Sequence, residues 1–371
     1  MKKLGFGLMR LPLLEAQNNK SIDKEQVKKM IDTFLERGFT YFDTAYMYHD
    51  FESERIAKEL LEERHPRDSF TLASKMPMSL IKEEGQVDPI FKEQMEKCGV
   101  DFFDYYLLHN LGTVNYEKAV KFHVFEYLAK KREEGYIKHL GFSFHDRASV
   151  LDKILTEHPE VEFVQLQINY LDWEDRNIQS RLCYETARKH GKQVIVMEPV
   201  KGGTLAKLPE KAEKMFKEYN PEASCPSYAI RFAAEKEGVM MVLSGMSNME
   251  QLLDNTSYMA DFKPLTEKEE EMVAQAVKYI RESIAVPCTA CNYCTAGCPQ
   301  NIPIPKYFEL YNLELVSLNN GFSTQGEYYD NLWESGYGKA SSCVACGQCE
   351  EQCPQHIGII KALRRVKGAF E

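Results

Sequence analysis

From residue 3 to about 260 the chain alternates short runs rich in β-branched and aromatic residues with longer amphipathic stretches. The runs are "KLGFGLM", "FTYFDTA", "SFTLASK", "DFFDYYLLH", "IKHLGFSFH", "EFVQLQINY", "QVIVMEP" and "GVMMVLSG". Between them stand helical patterns such as "DKEQVKKMIDTFLERG", "SERIAKELLEER", "YEKAVKFHVFEYLAKKREEG" and "DRNIQSRLCYETARKHG", all but the second ending in Gly at the expected stop position. Strands that each hand over to a helix predict an α/β architecture with a parallel sheet, and eight such repeats over about 250 residues favour a closed (β/α)8 TIM barrel over an open doubly wound sheet. No G-x-G-x-x-G follows the first run, so the open sheet also lacks its dinucleotide fingerprint.

A barrel of this kind makes a positional demand: chemistry gathers at the carboxyl ends of its strands. Asp43, Lys75, His109, Ser143, Asn169, Glu198 and Ser244 all fall at or just after a run's end. Four residues stand out: Asp43 in "FDTAYMY", Tyr48 five residues on, Lys75 in "ASK" and His109 in "LLHN". Taken singly, Asp43 could be a cap, Tyr48 a surface aromatic, Lys75 a solvated cation and His109 a satisfied histidine. Together at one barrel mouth they form a chemical unit. A phenol near pKa 10 is a poor acid, a neighbouring Lys75 cation favours its anion, and Asp43 holds the lysine. Such a tyrosine can protonate a carbonyl oxygen while His109 orients it by a hydrogen bond.

The successive stretches "GFGLMRLP", "FDTAYMY", "LASK", "LLHN", "LGFSFH", "VQLQIN", "MEPVKGG" and "SGMSNMEQLLDN" resemble the signatures of the aldo-keto reductase family over about residues 1–260. The family's Asp, Tyr, Lys, His tetrad falls in order on Asp43, Tyr48, Lys75 and His109. The resemblance implies NADP or NAD bound across the barrel mouth, and an aldehyde or ketone reduced to an alcohol. It also implies that Ser143 and Gln165 hold the nicotinamide carboxamide, and that Ser244, Gly245, Gln251 and Asn255 lie where the adenosine end is gripped. Three positions depart from the pattern. Phe144 stands where the family often has Asn, Met197 where a Tyr often stacks on the nicotinamide, and Gln251 where many NADP-dependent members carry Arg. The choice between NADH and NADPH stays open.

The net charge of −10 argues against a nucleic-acid or anionic-membrane surface and for a small or neutral partner, and the resemblance implies that this is a small-molecule carbonyl substrate. No apolar stretch approaches the roughly 18 residues of a spanning helix, and the apolar run in "MKKLGFGLMRLP" is too short for a signal peptide, so a cytoplasmic location is expected.

In that compartment the 11 cysteines point to metal or catalysis before disulfides. Cys98, Cys183 and Cys225 are scattered singly and read as small apolar fillers. The other eight form two runs, "CTACNYCTAGCPQ" and "CVACGQCEEQCPQ", both C-x2-C-x2-C-x3-C-P. In two-cluster ferredoxins the fourth cysteine of such a run reaches the other cluster. By that rule Cys288, Cys291, Cys294 and Cys353 hold one [4Fe–4S] cluster, and Cys343, Cys346, Cys349 and Cys298 the other. A pair of zinc ribbons is the rival, but zinc has no use for the third C-x2 step and the closing C-P. The 44 residues between the runs include the helical "IPKYFELYNLEL", similar to the mainly helical dicluster ferredoxin-like modules attached to redox enzymes.

Two domains follow: a barrel over 1–280 and a dicluster domain over 281–371. Polar stretches such as "NNGFSTQGEYYDN" suggest that the second has little core of its own. A nicotinamide gives up two electrons at once and each cluster takes one. No flavin fingerprint that would convert between them is evident in the sequence. The leading expectation is therefore a carbonyl reductase whose clusters lie off the hydride path. The rivals are an electron-transfer protein serving a redox partner protein, and a nicotinamide-binding sensor with negligible turnover.

Overall fold

The structure, a computed structural model, describes residues 2–15, 18–176, 178–282, 285, 286, 288, 292–315, 323–353 and 357–371. Among the described residues there are eight strands: β1 Leu4–Gly7, β2 Tyr41–Asp43, β3 Thr71–Met76, β4 Phe103–Leu111, β5 Ile137–Phe144, β6 Phe163–Gln167, β7 Gln193–Met197 and β8 Val239–Ser244. They pair in sequence order, all parallel, and β1 closes on β8 through Leu4 opposite Val242 and Phe6 opposite Ser244. Each of the eight expected runs supplies one strand. The closed (β/α)8 barrel is the predicted fold.

Strands buried on both faces read as nearly continuous apolar runs, and these do. Inside the barrel Tyr41, Leu107, Phe163 and Met241, from four alternate strands, pack together with Ala73, Ile195 and Leu243. The filling is tight enough to dictate a glycine. A Cβ at Gly141 would lie 2.5 Å from the carbonyl oxygen of Phe163 and 2.7 Å from its ring.

Two helical stretches differ from their sequence pattern. "YEKAVKFHVFEYLAKKREEG" forms two helices, Thr113–Lys121 and Val124–Glu133, because His123 turns into the left-handed region at φ 52°. "DRNIQSRLCYETARKHG" becomes helical only over Ser180–Lys189, after a left-handed Gln179 whose side chain accepts from the Ala148 N–H. Neither break is visible in apolar periodicity, which registers the faces of a helix rather than its interruptions.

The chain divides into two compact units, Met1–Glu174 with Gln179–Pro199 and Pro226–Glu269, and Asp175–Ile178 with Val200–Cys225 and Glu270–Glu371. In the second unit the helices Ile304–Leu315, Thr324–Glu334 and Ile359–Phe370 enclose a core that includes Ile302, Tyr307, Phe308, Leu310, Tyr329, Leu363 and Val366. The expectation of little core is thus corrected. "GEYYDN" lies on a helix that buries Tyr328 and Tyr329, and Tyr329 packs 4.3 Å from Tyr307 and 5.1 Å from Phe370 between ring centroids. Aromatic rings among polar letters carried the burial that the polar letters concealed.

Candidate active site

At the carboxyl ends of β2, β3 and β4 the tetrad comes together. Lys75 is 1% exposed and its ammonium donates to Asp43 Oδ1 at 2.5 Å and to the Thr44 carbonyl at 2.8 Å. It also reaches the Tyr48 hydroxyl at 3.4 Å and lies 4.9 Å from that ring's centroid. The His109 ring stands edge-on to Tyr48, with centroids 5.9 Å apart at 83°. Asp43 ends β2 opposite Ala73, and Lys75, two residues further along β3, falls on the same face and reaches back to its carboxylate.

Burial shapes the ionisation. It is the largest influence on Tyr48 and raises its pKa; Lys75 lowers it, Asp43 and Glu198 raise it, and the net direction is upward. The expectation that the lysine leaves the phenol more acidic than usual is therefore corrected: Lys75 only offsets part of the desolvation. Burial works against the Lys75 cation, but Asp43 and Tyr48 outweigh it and hold its pKa above the ordinary value. Burial, then Lys75 and His145, push His109 well below the usual histidine range. The imidazole is neutral at pH 7, and its Nδ1 has no hydrogen-bond partner among the described residues.

Two supporting groups escaped sequence reading. His49, directly after Tyr48, is buried, accepts from the Leu11 N–H at Nε2 (3.1 Å) and donates from Nδ1 to the Asn19 carbonyl (2.9 Å). It braces a turn in which His49, Asp50 and Phe51 all take left-handed φ values of 51°, 51° and 74°. Glu54 is 0% exposed and accepts from Ser74 and from Gln94, both at 2.6 Å, while Gln94 also donates to the Lys75 carbonyl at 3.0 Å. Tyr106 completes the network by donating to Gln94 Oε1 at 2.5 Å. The motif "SE" six residues after the tyrosine was the available signal for Glu54.

Burial raises the Glu54 carboxyl to about 7 against hydrogen bonds from Ser74 and Gln94 that lower it. Between its ordinary value near 4.5 and about 7 the folded state keeps a proton that the unfolded state has released, so stability falls as pH rises through this window. The loss amounts to roughly 3 kcal/mol. Glu54→Gln is expected to remove it: in urea unfolding at several pH values, the variant should gain on the wild type by roughly that amount between pH about 4.5 and about 8. A difference that does not change with pH would refute the assignment.

The candidate cofactor residues are placed as follows. Ser143 on β5 accepts from the Asn110 N–H at 2.8 Å, and Gln165 on β6 keeps a buried Oε1 with no partner among the described residues. Met197 ends β7 opposite Gln167, and Ser244 ends β8. Asn255 donates to Ser244 Oγ at 2.8 Å and accepts from Tyr258 at 2.7 Å, so its amide ties the helix Met249–Ala260 to the strand end. Gly245 follows, against Arg10, and Gln251 accepts from the Ser247 N–H at 2.7 Å. Arg10 also pairs with Glu198 at 3.5 Å. An orphaned buried amide oxygen is the donor-seeking group a carboxamide would satisfy.

In the second unit Cys298, Cys343, Cys346 and Cys349 line one cavity, otherwise walled by apolar side chains such as Ile302, Ile304 and Leu363. Three thiols of the second run meet the last of the first run, the partition expected from spacing. Among the described residues no three His, Cys, Asp or Glu side chains are placed to hold a single metal ion; these four cysteines line the cavity together. For the other set, Cys288, Cys294 and Cys353 pack on the same core, and Cys291 lies outside the described residues. Cys98, Cys183 and Cys225 are buried singly, and burial raises their thiols.

A parallel (β/α)8 barrel with a lysine–aspartate pair beneath a tyrosine at its mouth, in one chain with a cysteine-lined helical domain, defines a barrel oxidoreductase. The chain belongs to the aldo/keto reductase family, whose model matches residues 3–278, and a 4Fe-4S dicluster domain model matches residues 287–357. The uncharacterized oxidoreductase YqkF of Bacillus subtilis (strain 168) is 22% identical over 299 residues, 72% of this chain and 90% of its own. Aldo-keto reductase AKR11C1 from Bacillus halodurans, in its holo form, shares 22% identity and superposes with a TM-score of 0.58, covering 74% of this chain and 91% of that one. An aldo-keto reductase from Klebsiella pneumoniae in complex with NADPH shares 17% identity with a TM-score of 0.59, covering 75% and 90%. At these identities the solved structures establish the fold. Among the described residues no helix is long and apolar enough to cross a membrane.

Proposed function

We propose that this chain reduces an aldehyde or ketone to an alcohol at the barrel mouth, using NADPH or NADH. The observation that carries the reading is the buried Lys75–Asp43 pair reaching the Tyr48 hydroxyl beside a neutral His109. The nicotinamide supplies a hydride to the carbonyl carbon. Tyr48 gives the proton to the carbonyl oxygen, Lys75 stabilises the phenolate left behind, and Asp43 holds Lys75. His109 donates one hydrogen bond to the same oxygen and, being neutral, orients rather than protonates. The unsatisfied Gln165 oxygen and the Ser143 hydroxyl fit the carboxamide, with Met197 beside the ring; Ser244, Gly245, Gln251 and Asn255 shape the adenosine end. The NADPH named for the Klebsiella structure supports a dinucleotide here.

Residues 1–280 are read as the reductase part and 281–371 as the dicluster part. The clusters are placed off the hydride path, since the tetrad completes a two-electron reduction without them. The test uses the full chain, purified without oxygen: NADPH or NADH oxidation is followed over a panel of aldehydes and ketones with no one-electron donor added. Turnover with reduced nicotinamide alone is the expected result. Turnover that begins only when a one-electron donor is supplied would replace this reading with an electron-transfer one.

A further inference from the structure

The C-terminal helix Ile359–Phe370 has two opposed faces. Ile359, Ala362, Leu363 and Val366 are buried in the core of the second unit, while Lys361, Arg364, Arg365 and Lys367 are exposed. Arg365 lies over the Tyr311 ring at 5.9 Å, and none of the four cations forms an ion pair among the described residues. The neighbouring acids are engaged: Glu350 accepts from the Ile360 N–H, and Glu371 accepts from Tyr329 and the Ser341 N–H. Glu351 stands exposed on the short helix Gln348–Glu351. In a chain of net charge −10, this is a local reversal of sign.

The same helix walls the cysteine-lined cavity through Ile360 and Leu363. Above that cavity the loop after Cys343 exposes Val344 (60%) together with Ala345 and Cys346. The cysteine-lined cavity thus lies between an exposed apolar loop and a helix whose exposed face carries four cations with no ion pair among the described residues. Complementary charge steers the encounter of partners and fixes their register.

We propose that this face docks an acidic single-electron carrier protein, with Lys361, Arg364 and Lys367 as its charged rim and Val344 as its apolar contact. The proposal rests on the dicluster assignment and is independent of carbonyl reduction. Exchange there moves one electron between the carrier's centre and the cysteine-held cluster, with no bond made or broken and no proton moved.

The test uses anaerobic, iron-loaded full chain and two carriers of opposite charge, an acidic plant-type [2Fe–2S] ferredoxin and a basic cytochrome c. Association is measured at about 20 mM and about 200 mM salt, across which the screening length shortens about threefold. Ferredoxin is expected to bind at low salt and to weaken at least about tenfold at high salt. The triple variant Lys361→Glu, Arg364→Glu, Lys367→Glu should slow ferredoxin association at least about tenfold and improve cytochrome c binding. Its buried face is untouched, and unchanged iron content would confirm its fold; the corresponding triple Gln variant gives an intermediate effect without charge reversal. Absence of ferredoxin binding at low salt, equal binding of both carriers, or association that ignores the substitutions overturns the docking proposal. Protein lacking iron and acid-labile sulfide overturns the dicluster assignment instead, so the two failures are distinguishable.

Discussion

Replacing Tyr48 by Phe is expected to lower carbonyl reduction by about 10²–10⁴-fold while leaving dinucleotide binding nearly unchanged. The ring keeps its place, because its neighbours are the Lys75 ammonium 4.9 Å from its centroid and the edge-on His109. Only the hydroxyl is lost, and with it the proton. Burial holds the phenol protonated well beyond neutrality, so wild-type turnover should not fall with the titration of this group below pH about 10. His109, pushed well below the usual histidine range, should add no inflection near neutrality. Single-turnover reduction under saturating NADPH, with binding followed separately by nucleotide fluorescence, checks both statements. A variant that turns over at the wild-type rate would sink the role given to Tyr48.

Cys349→Ser is expected to halve the metal content, from about eight iron and eight sulfide in the wild type to about four of each. Cys349 is 8% exposed, on the wall of the cavity it shares with Cys298, Cys343 and Cys346. A serine there removes one corner ligand and leaves a hydroxyl in an apolar pocket. The second unit should then unfold at lower temperature, because ligand sites formed only in the native chain couple binding to folding. Cys98→Ser, at a buried position in the barrel, serves as control and should keep all its iron. Zinc without acid-labile sulfide in the wild type would refute the cluster assignment outright.

Legibility from sequence followed periodicity and spacing. The eight strands were readable because parallel strands covered on both faces leave unbroken apolar runs. That Asp43, Lys75 and His109 would gather at one barrel mouth was readable because strand ends are easy to locate and polar residues are conspicuous there. The cysteine partition was proposed from three fixed spacings that repeat, and the structure puts Cys298 on one cavity with Cys343, Cys346 and Cys349. His49 was not, since its role depends on the Leu11 N–H and the Asn19 carbonyl, which only the folded chain brings to it. Nor was the burial of Glu54, a carboxylate that composition assigns to the surface. The direction of the Tyr48 shift was misjudged for the same reason: a neighbouring charge can be read from spacing, but desolvation cannot.

The second unit is discontinuous in the chain, and this has a consequence during synthesis. A ribosome delivers residues at roughly 5–20 per second, and early segments ordinarily fold as they emerge. Here β1 must wait for Val239–Ser244 before its edge is closed, an interval on the order of tens of seconds. The segments Asp175–Ile178 and Val200–Cys225 wait longer, since the rest of their compact unit is Glu270–Glu371. The nascent protein therefore exposes an unclosed parallel sheet until Val239–Ser244 emerges and two unpartnered stretches until Glu270–Glu371 follows, and iron delivery comes later still.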